Sequence, residues 1–292
     1  MAVQAVEKAL ERHGPPIYVF HEIVHNRNVV ETFQNRGVVF VNDLESVPPG
    51  SVLLFSAHGI SPEIRAEAKT KSLHLAIDAT CPLVERVHRE VRRFAAEGYH
   101  ILLIGHGGHD EIVGTMGEAP GAITLVSSLE EAKRADPPQS SKLVVLTQTT
   151  LSMDDTREII QSLKRRFPEM VTPPKEDICY ATQNRQDAVK LLAGQTDLIL
   201  VVGSPNSENS NQLCKVARGL GVEAHLINDV AEIDLSWLES ARVVGLTSGA
   251  SAPESLVSEV VDFFRELRVE EVTEIGFEEP NVHFALPKGV EI

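Results

Sequence analysis

Short runs of Val, Leu and Ile recur along the chain and alternate with longer stretches whose apolar positions repeat at helical spacing. The runs predict strands near 16–21, 38–42, 51–56, 73–78, 100–104, 122–127, 142–147, 197–203, 224–228 and 242–247. Several are almost continuously apolar, which suits strands covered on both faces. Helices are predicted near 1–13, 26–36, 62–71, 83–97, 152–166, 183–194, 210–220 and 253–267. Three of them open on start signals: Ser61-Pro62, Ser152 with Asp155, and Ala252-Pro253. Strand and helix in alternation is the rhythm of βαβ units, so the fold class is α/β with mainly parallel sheets.

Five strands run directly into a small polar loop that opens a helix: FSAHGISP, LIGHGGHDEI, VLTQTTLS, VVGSPNSENS and GLTSGASAP. Parallel α/β sheets bind ligands at the carboxyl ends of their strands. Several sub-sheets whose loops face one centre would build a site from distant parts of the chain. Paired prolines in 134–140 (RADPPQS) and 167–176 (FPEMVTPPKE) interrupt both periodicities and mark linkers. The acidic tail from about residue 268 has no period.

Composition narrows the function classes. With 292 residues, 42% hydrophobic and 24% charged, the chain is ordinary for a globular protein and too apolar for global disorder. No apolar run approaches the roughly 18–20 residues of a membrane span, and MAVQAVEKALERHG is an amphipathic helix rather than a signal peptide. A cytoplasmic protein with no membrane partner is expected. The formal charge of −15 argues against nucleic acid, which needs a clustered basic face. An anion would have to be held by a local pocket that overcomes this charge. Three cysteines make no disulfide framework, leaving core thiols, a catalytic thiol or metal ligands.

The polar loops carry the candidate chemistry. His21 and His25 share HEIVHN, His58 lies in SAHG, and His106 and His109 sit in GHGGHDE with Glu111. Imidazoles at three strand ends either satisfy the core or donate to phosphate oxygens where Lys and Arg are sparse. HxxH with Glu111 is also a zinc pattern, although it lacks the helical scaffold of zinc proteases. The loop 203–211 is dense in hydroxyls and amides ahead of a helix whose free N–H groups could hold phosphate. Equally, Ser210 or Asn209 could simply cap that helix. Ser248-Gly249-Ala250-Ser251 and Thr147-Gln148-Thr149-Thr150 repeat the theme, and no Walker lysine follows any of these loops. Cys81 in DATCPLV and Cys179 in DICYAT precede helices, a position that lowers a thiol's pKa. Cys214 falls within a helix beside Leu213, Val216, Ala217 and Leu220, as a core thiol does.

Taken in order, HEIVHN, FSAHG, DATCPLV, IGHGGHDEIVGTMGE, TQTTLS, DICYATQNRQ, GSPNSENSN and TSGASAP resemble the 4-hydroxy-3-methylbut-2-enyl diphosphate reductase family. These are LytB-type iron–sulfur enzymes of the methylerythritol phosphate route to isoprenoids. The resemblance runs from the first helix to Pro287. It implies three similar small α/β units around a central [4Fe-4S] cluster held by three cysteines, one per unit. On this chain the units fall at 1–80, 81–177 and 178–267, with a tail at 268–292. The implied reaction removes the hydroxyl of an allylic diphosphate as water, giving isopentenyl and dimethylallyl diphosphate. Reduced ferredoxin or flavodoxin is the implied electron donor. By motif, Cys81 and Cys179 are implied cluster ligands. His25, His58, Ser207, Asn209 and Ser251 would hold the diphosphate, with His109 beside it. Glu111 would be the proton source, and Thr149 would position the hydroxyl and relay protons.

Two features depart from the family pattern. The family's leading strand and first cluster cysteine precede the point where these 292 residues begin, and Cys214 does not match that motif. The resemblance therefore implies a third cysteine ligand missing from this chain, with a labile cluster and impaired activity. The alternative is a cluster-less, non-catalytic diphosphate-binding relic. In addition, Glu208 stands where a small hydroxyl residue is common. A carboxylate aimed at diphosphate would repel it by a few kcal/mol at short range, so Glu208 is expected to point away.

Overall fold

The computed structural model describes residues 1–138, 142–173, 177–269, 271–276, 282 and 284–290. Each predicted strand is present, and the strands sort into three sheets. The first holds β1 (Ile17–Phe20), β2 (Val38–Val41), β3 (Val52–Phe55) and β4 (Leu75–Asp78) in the order β2-β1-β3-β4. The second holds β5 (Tyr99–Ile104), β6 (Ile123–Val126) and β7 (Lys142–Thr147) in the order β6-β5-β7. The third holds β8 (Leu198–Val202), β9 (Glu223–Ile227) and β10 (Val244–Ser248) in the order β10-β8-β9. All the strand pairs of these sheets run parallel.

The continuous apolar runs follow from burial on both faces. Along β3, Val52 and Leu54 enter one core cluster while Leu53 and Phe55 enter another. Along β5, Ile101 and Leu103 separate in the same way from Leu102 and Ile104. On β8, Ile199 and Val201 face away from Leu198, Leu200 and Val202. Alternate side chains point to opposite faces, so a strand sandwiched between helices needs no polar face.

Helices supply the covering layers. The first sheet lies between α1 (Ala2–His13) with α2 (Arg27–Asn35) and α3 (Pro62–Thr70). The second lies between α4 (Pro82–Ala96) with α5 (Asp110–Gly117) and α6 (Leu129–Arg134) with α7 (Met153–Arg166). The third lies between α8 (Tyr180–Ala193) with α9 (Glu208–Gly219) and α10 (Glu254–Glu266). Among the described residues no helix is long and apolar enough to cross a membrane.

Four differences from the sequence pattern matter. The short helices α5 and α6 fall where none is predicted, because eight and six residues show too little period. Helix α8 begins at Tyr180 rather than 183 and α9 at Glu208 rather than 210, which makes Cys179 and Ser207 their caps. Part of the second proline segment joins a sheet, since Val171 bridges to Val144; residues 139–141 and 174–176 of the two linkers lie outside the described residues. The aperiodic tail returns to the first unit, where Val290 is buried in the α1-side core.

Leu200 is fully buried at the centre of β8, whereas Leu220 at the end of α9 is 53% exposed. Leu200→Ala is expected to cost about 2–5 kcal/mol in urea denaturation, and Leu220→Ala less than about 0.5 kcal/mol.

Candidate active site

Parallel registers bring the carboxyl ends of neighbouring strands to one edge of each sheet, and the loops leaving those edges meet. His25 follows β1, His58 follows β3, and His109 follows β5 as the cap of α5. The His25 and His58 rings stack with centroids 4.0 Å apart, and His109 stands edge-on to both at 5.2 and 5.6 Å. A nitrogen of each ring lies within 4.8 Å of one on the others. Local sequence sets these positions. Asn26 caps α2 by accepting the Val29 N–H, which pins His25 at the helix entrance. Gly59, at φ 81°, turns the chain behind His58.

His109 Nδ1 accepts the Glu111 N–H at 3.1 Å. A backbone N–H can only donate, so the proton of the neutral ring sits on Nε2. His109 therefore offers the site a donor rather than a metal-binding lone pair. Burial and the neighbouring imidazoles push His58 well below the usual histidine range, and burial, then His25, lower His109 to about 4. Two carboxylates flank the cluster. Glu22 faces His25 Nδ1 at 3.3 Å and accepts the Asn206 amide at 2.8 Å, and the His25 contact above all keeps its pKa low. Asp110 pairs with His21 Nδ1 at 2.8 Å. Burial raises Asp110, but that bond and the surrounding imidazoles prevail and hold it below the ordinary range.

Glu111, in the first turn of α5, is only 2% exposed. The Thr149 N–H reaches its Oε1 at 2.7 Å and the Thr149 hydroxyl its Oε2 at 2.9 Å. Burial raises the Glu111 carboxyl to about 7, against the opposing pull of both Thr149 bonds. The two helix-capping thiols are tied to the same loops. Cys179 N–H donates to the Thr149 carbonyl at 3.0 Å, and Cys81 N–H to that of Ala57, beside His58, at 2.9 Å. Asp177 anchors the Cys179 loop by accepting the Thr147 N–H at 2.9 Å, and burial pushes its carboxyl up to about 7.

Position at a helix start does not lower the Cys81 thiol as the sequence suggests. Burial raises it, the Leu83 and Val84 N–H groups oppose this, and the nearby Cys179 and Glu111 add to the rise. Cys214 lies apart in the apolar core under α9, where burial pushes its thiol to about 11.

The loops of the third sheet complete the site. Ser207 caps α9, accepting the Ser210 N–H at 3.3 Å and standing 3.0 Å from the Ser210 hydroxyl. The cap is thus neither Ser210 nor Asn209. Asn209 is 5% exposed, yet among the described residues neither of its amide atoms has a partner, and neither does His58 Nε2. Buried polar groups left this way are costly unless a ligand or water satisfies them. Ser251 donates to the His25 carbonyl at 3.1 Å, joining the third unit to the first. The zinc pattern does not assemble: His106 Nε2 faces Glu208 at 3.1 Å while Glu111 is bound to Thr149.

Residues 1–265 match the family described as LytB protein. The chain belongs to the LytB family. A relative from Nocardia farcinica, named 4-hydroxy-3-methylbut-2-enyl diphosphate reductase, is 52% identical over 288 residues, covering 98% of this chain and 85% of that protein. One of the same name from Bordetella pertussis is 52% identical over 289 residues, covering 99% and 89%. The solved E-1-hydroxy-2-methyl-but-2-enyl-4-diphosphate reductase of Plasmodium falciparum is 41% identical, with a TM-score of 0.93 over 99% of this chain and 91% of that one. The α/β architecture with three parallel sheets is that of LytB.

The LytB chain thus gathers the three histidines, Glu111, Thr149, Ser251 and both capping thiols. Glu22, Asp110 and Ser210 also shape the site but stand out little in sequence. Their only signals are adjacency to His109 and the three-residue spacing of Glu22 from His25 and of Ser210 from Ser207.

A Cβ at Gly249 would lie 2.1 Å from Ser210 Oγ and 3.3 Å from its Cβ, while one at Gly203 would lie 2.2 and 2.7 Å from the same atoms. Both alanine variants are expected to lose about 1–3 kcal/mol. Ser210→Ala should rescue Gly249→Ala in thermal melts, and should not rescue Gly203→Ala.

The raised carboxyl has its own signature. Glu111 binds its proton more tightly folded, at about 7, than at its ordinary 4.5. Its contribution is most favourable below the ordinary value and declines as pH rises to the folded one. Glu111→Gln should therefore be about 2–3 kcal/mol more stable than the parent at pH 8 in chemical denaturation. The gain should vanish near pH 4.5.

Proposed function

We propose that this chain reductively dehydroxylates 4-hydroxy-3-methylbut-2-enyl diphosphate to isopentenyl and dimethylallyl diphosphate. The observation that carries this reading is the buried Glu111–Thr149 pair between a cluster of imidazoles and two thiols. A carboxyl raised to about 7 keeps a large protonated fraction near neutral pH and can release its proton, as a general acid must.

The donor set suits an iron–sulfur cluster. Cys81 and Cys179 are soft ligands at helix N-termini whose main chains are fastened to the loops of His58 and Thr149. These two residues would hold the cluster, which when bound supplies two electrons to the allylic carbon. Within these 292 residues Cys214 is not a third ligand, because it is sealed in the core under α9. Reduced ferredoxin or flavodoxin is the proposed donor of the electrons.

The units at 1–80, 81–177 and 178–267 would converge on the substrate. The unpartnered Asn209 amide and His58 Nε2 are candidates for the diphosphate oxygens, with His25, His109, Ser207 and Ser251 around them. His58 has a depressed pKa and an unpartnered Nε2, and a polyanion beside it would draw a proton onto that ring, while His109, its Nδ1 taken by the Glu111 N–H, donates from Nε2 as a neutral ring. This supplies positive charge inside an acidic chain only when the anion arrives.

At the other end, Thr149 Oγ would orient the substrate hydroxyl and relay the Glu111 proton to it. The C–O bond breaks, the hydroxyl leaves as water, and two electrons with a second proton complete the new C–H bond. The carboxylate left on Glu111 keeps both Thr149 hydrogen bonds. The relic reading leaves this buried acid and the two thiols without work.

After anaerobic reconstitution, substrate should oxidise reduced methyl viologen, slowly where Cys81 and Cys179 are the cluster's only cysteine ligands. Glu111→Gln should lower kcat about 10²–10⁴-fold and leave inorganic diphosphate binding unchanged. Bound iron should fall to background in Cys81→Ser and Cys179→Ser and persist in Cys214→Ala. Turnover that survives Glu111→Gln, or iron that depends on Cys214, would overturn the assignment.

A further inference from the structure

Glu208 is the one carboxylate in the loop 203–211 and stands between Ser207 and Asn209. It occupies the first position of α9, partly buried. Its Oε1 accepts from His106 Nε2 at 3.1 Å and from the Gln212 amide, and lies 3.9 Å from Lys215 Nζ. His106 belongs to the loop after β5, in the second unit, and its own N–H donates to Gln148 Oε1 at 3.0 Å. Gln148 precedes Thr149, so the histidine is fastened to the strand end that presents Thr149. The reaction outlined above gives this contact between units no work.

We propose that His106 is a positioning residue for the diphosphate site, clasping Glu208 so that its carboxylate is turned away from the bound anion and its charge is masked. The inference rests on the reading of Asn209, Ser207 and the histidine cluster as a diphosphate site. An ionised carboxylate between two of that site's residues would repel a polyanion unless a cation faced it.

Glu208 cannot escape by taking a proton. Burial raises its pKa, but the His106 and Gln212 bonds overcome that and bring it to about 2. Its field also reaches His109. Masking therefore falls to His106 and Lys215. The Glu208 bond raises the His106 pKa against burial, with Lys215 of α9 opposing and Asp155 of α7 assisting. As pH rises past that value, His106 loses its charge and Lys215 alone faces the carboxylate.

The test is calorimetric titration of the reconstituted chain with inorganic diphosphate, comparing the parent, His106→Ala, Glu208→Gln and the double variant. His106→Ala should weaken binding about tenfold, and adding Glu208→Gln should restore it to within about twofold of the parent. In a titration carried from pH 6 up through the raised His106 pKa, the affinity of Glu208→Gln relative to the parent should grow several-fold. A double variant as weak as His106→Ala, or a pH-independent ratio, overturns the clasp. A parent that binds no diphosphate instead overturns the site on which the clasp depends, and the parent titration alone shows this. If His106→Ala fails to fold by circular dichroism, the pH series on the parent and Glu208→Gln decides the matter without it.

Discussion

Parallel pairing is the constraint on which the rest of this molecule depends. When neighbouring strands run the same way, their carboxyl ends share an edge, and every crossover must leave from that edge, here most often into a helix. Phe20, Phe55 and Asp78 end level in the first sheet, Ile104 and Thr147 in the second, and Val202 and Ser248 in the third. Each sheet therefore carries one rim of short polar loops, and residues far apart in sequence become neighbours where the rims meet. The Ser251 to His25 bond and the His106 to Glu208 contact are that geometry expressed at atomic range.

The electrostatics of the site follow from how dry those rims are. Burial raises Glu111 and Asp177 and depresses His58 and His109, so acid and imidazole alike are driven toward their neutral forms. A net charge of −15 would otherwise work against any polyanion. Neutral donors that can gain protons reconcile the two. The carboxylates that stay ionised each have a partner: Glu22 has His25, Asp110 has His21, and Glu208 has His106. His21 makes its contact from the left-handed region, at φ 60°, which few residues of its size adopt and which surrounding structure has to sustain.

Much was legible in the linear chain, and for a physical reason. A strand buried on both faces must be apolar throughout, so Leu198–Val202 announced itself, and a polar loop after such a strand has few places to go in a parallel sheet. Helix α10 was equally plain from its period, whereas α5, with Gly114 and Gly117 in eight residues, was not. The ordered motifs identified the family and the candidate residues. Helix starts were less certain by two or three residues. That small uncertainty mattered, because it separated Ser207 as a cap from Asn209 as an unpartnered amide.

Sequence by itself determined the elements, their alternation and the chemical inventory of the rims, since these depend on side-chain polarity and local backbone preference. Only the tertiary structure decided which groups share a dielectric and a hydrogen bond. It set Thr149 against Glu111, and His106 against Glu208 rather than in a zinc site with His109. It also reversed the pKa expected of Cys81, because burial outweighed the helix N–H groups. Those outcomes rest on distances between residues tens of positions apart, and parallel packing sets such distances only once the three sheets have closed on one another.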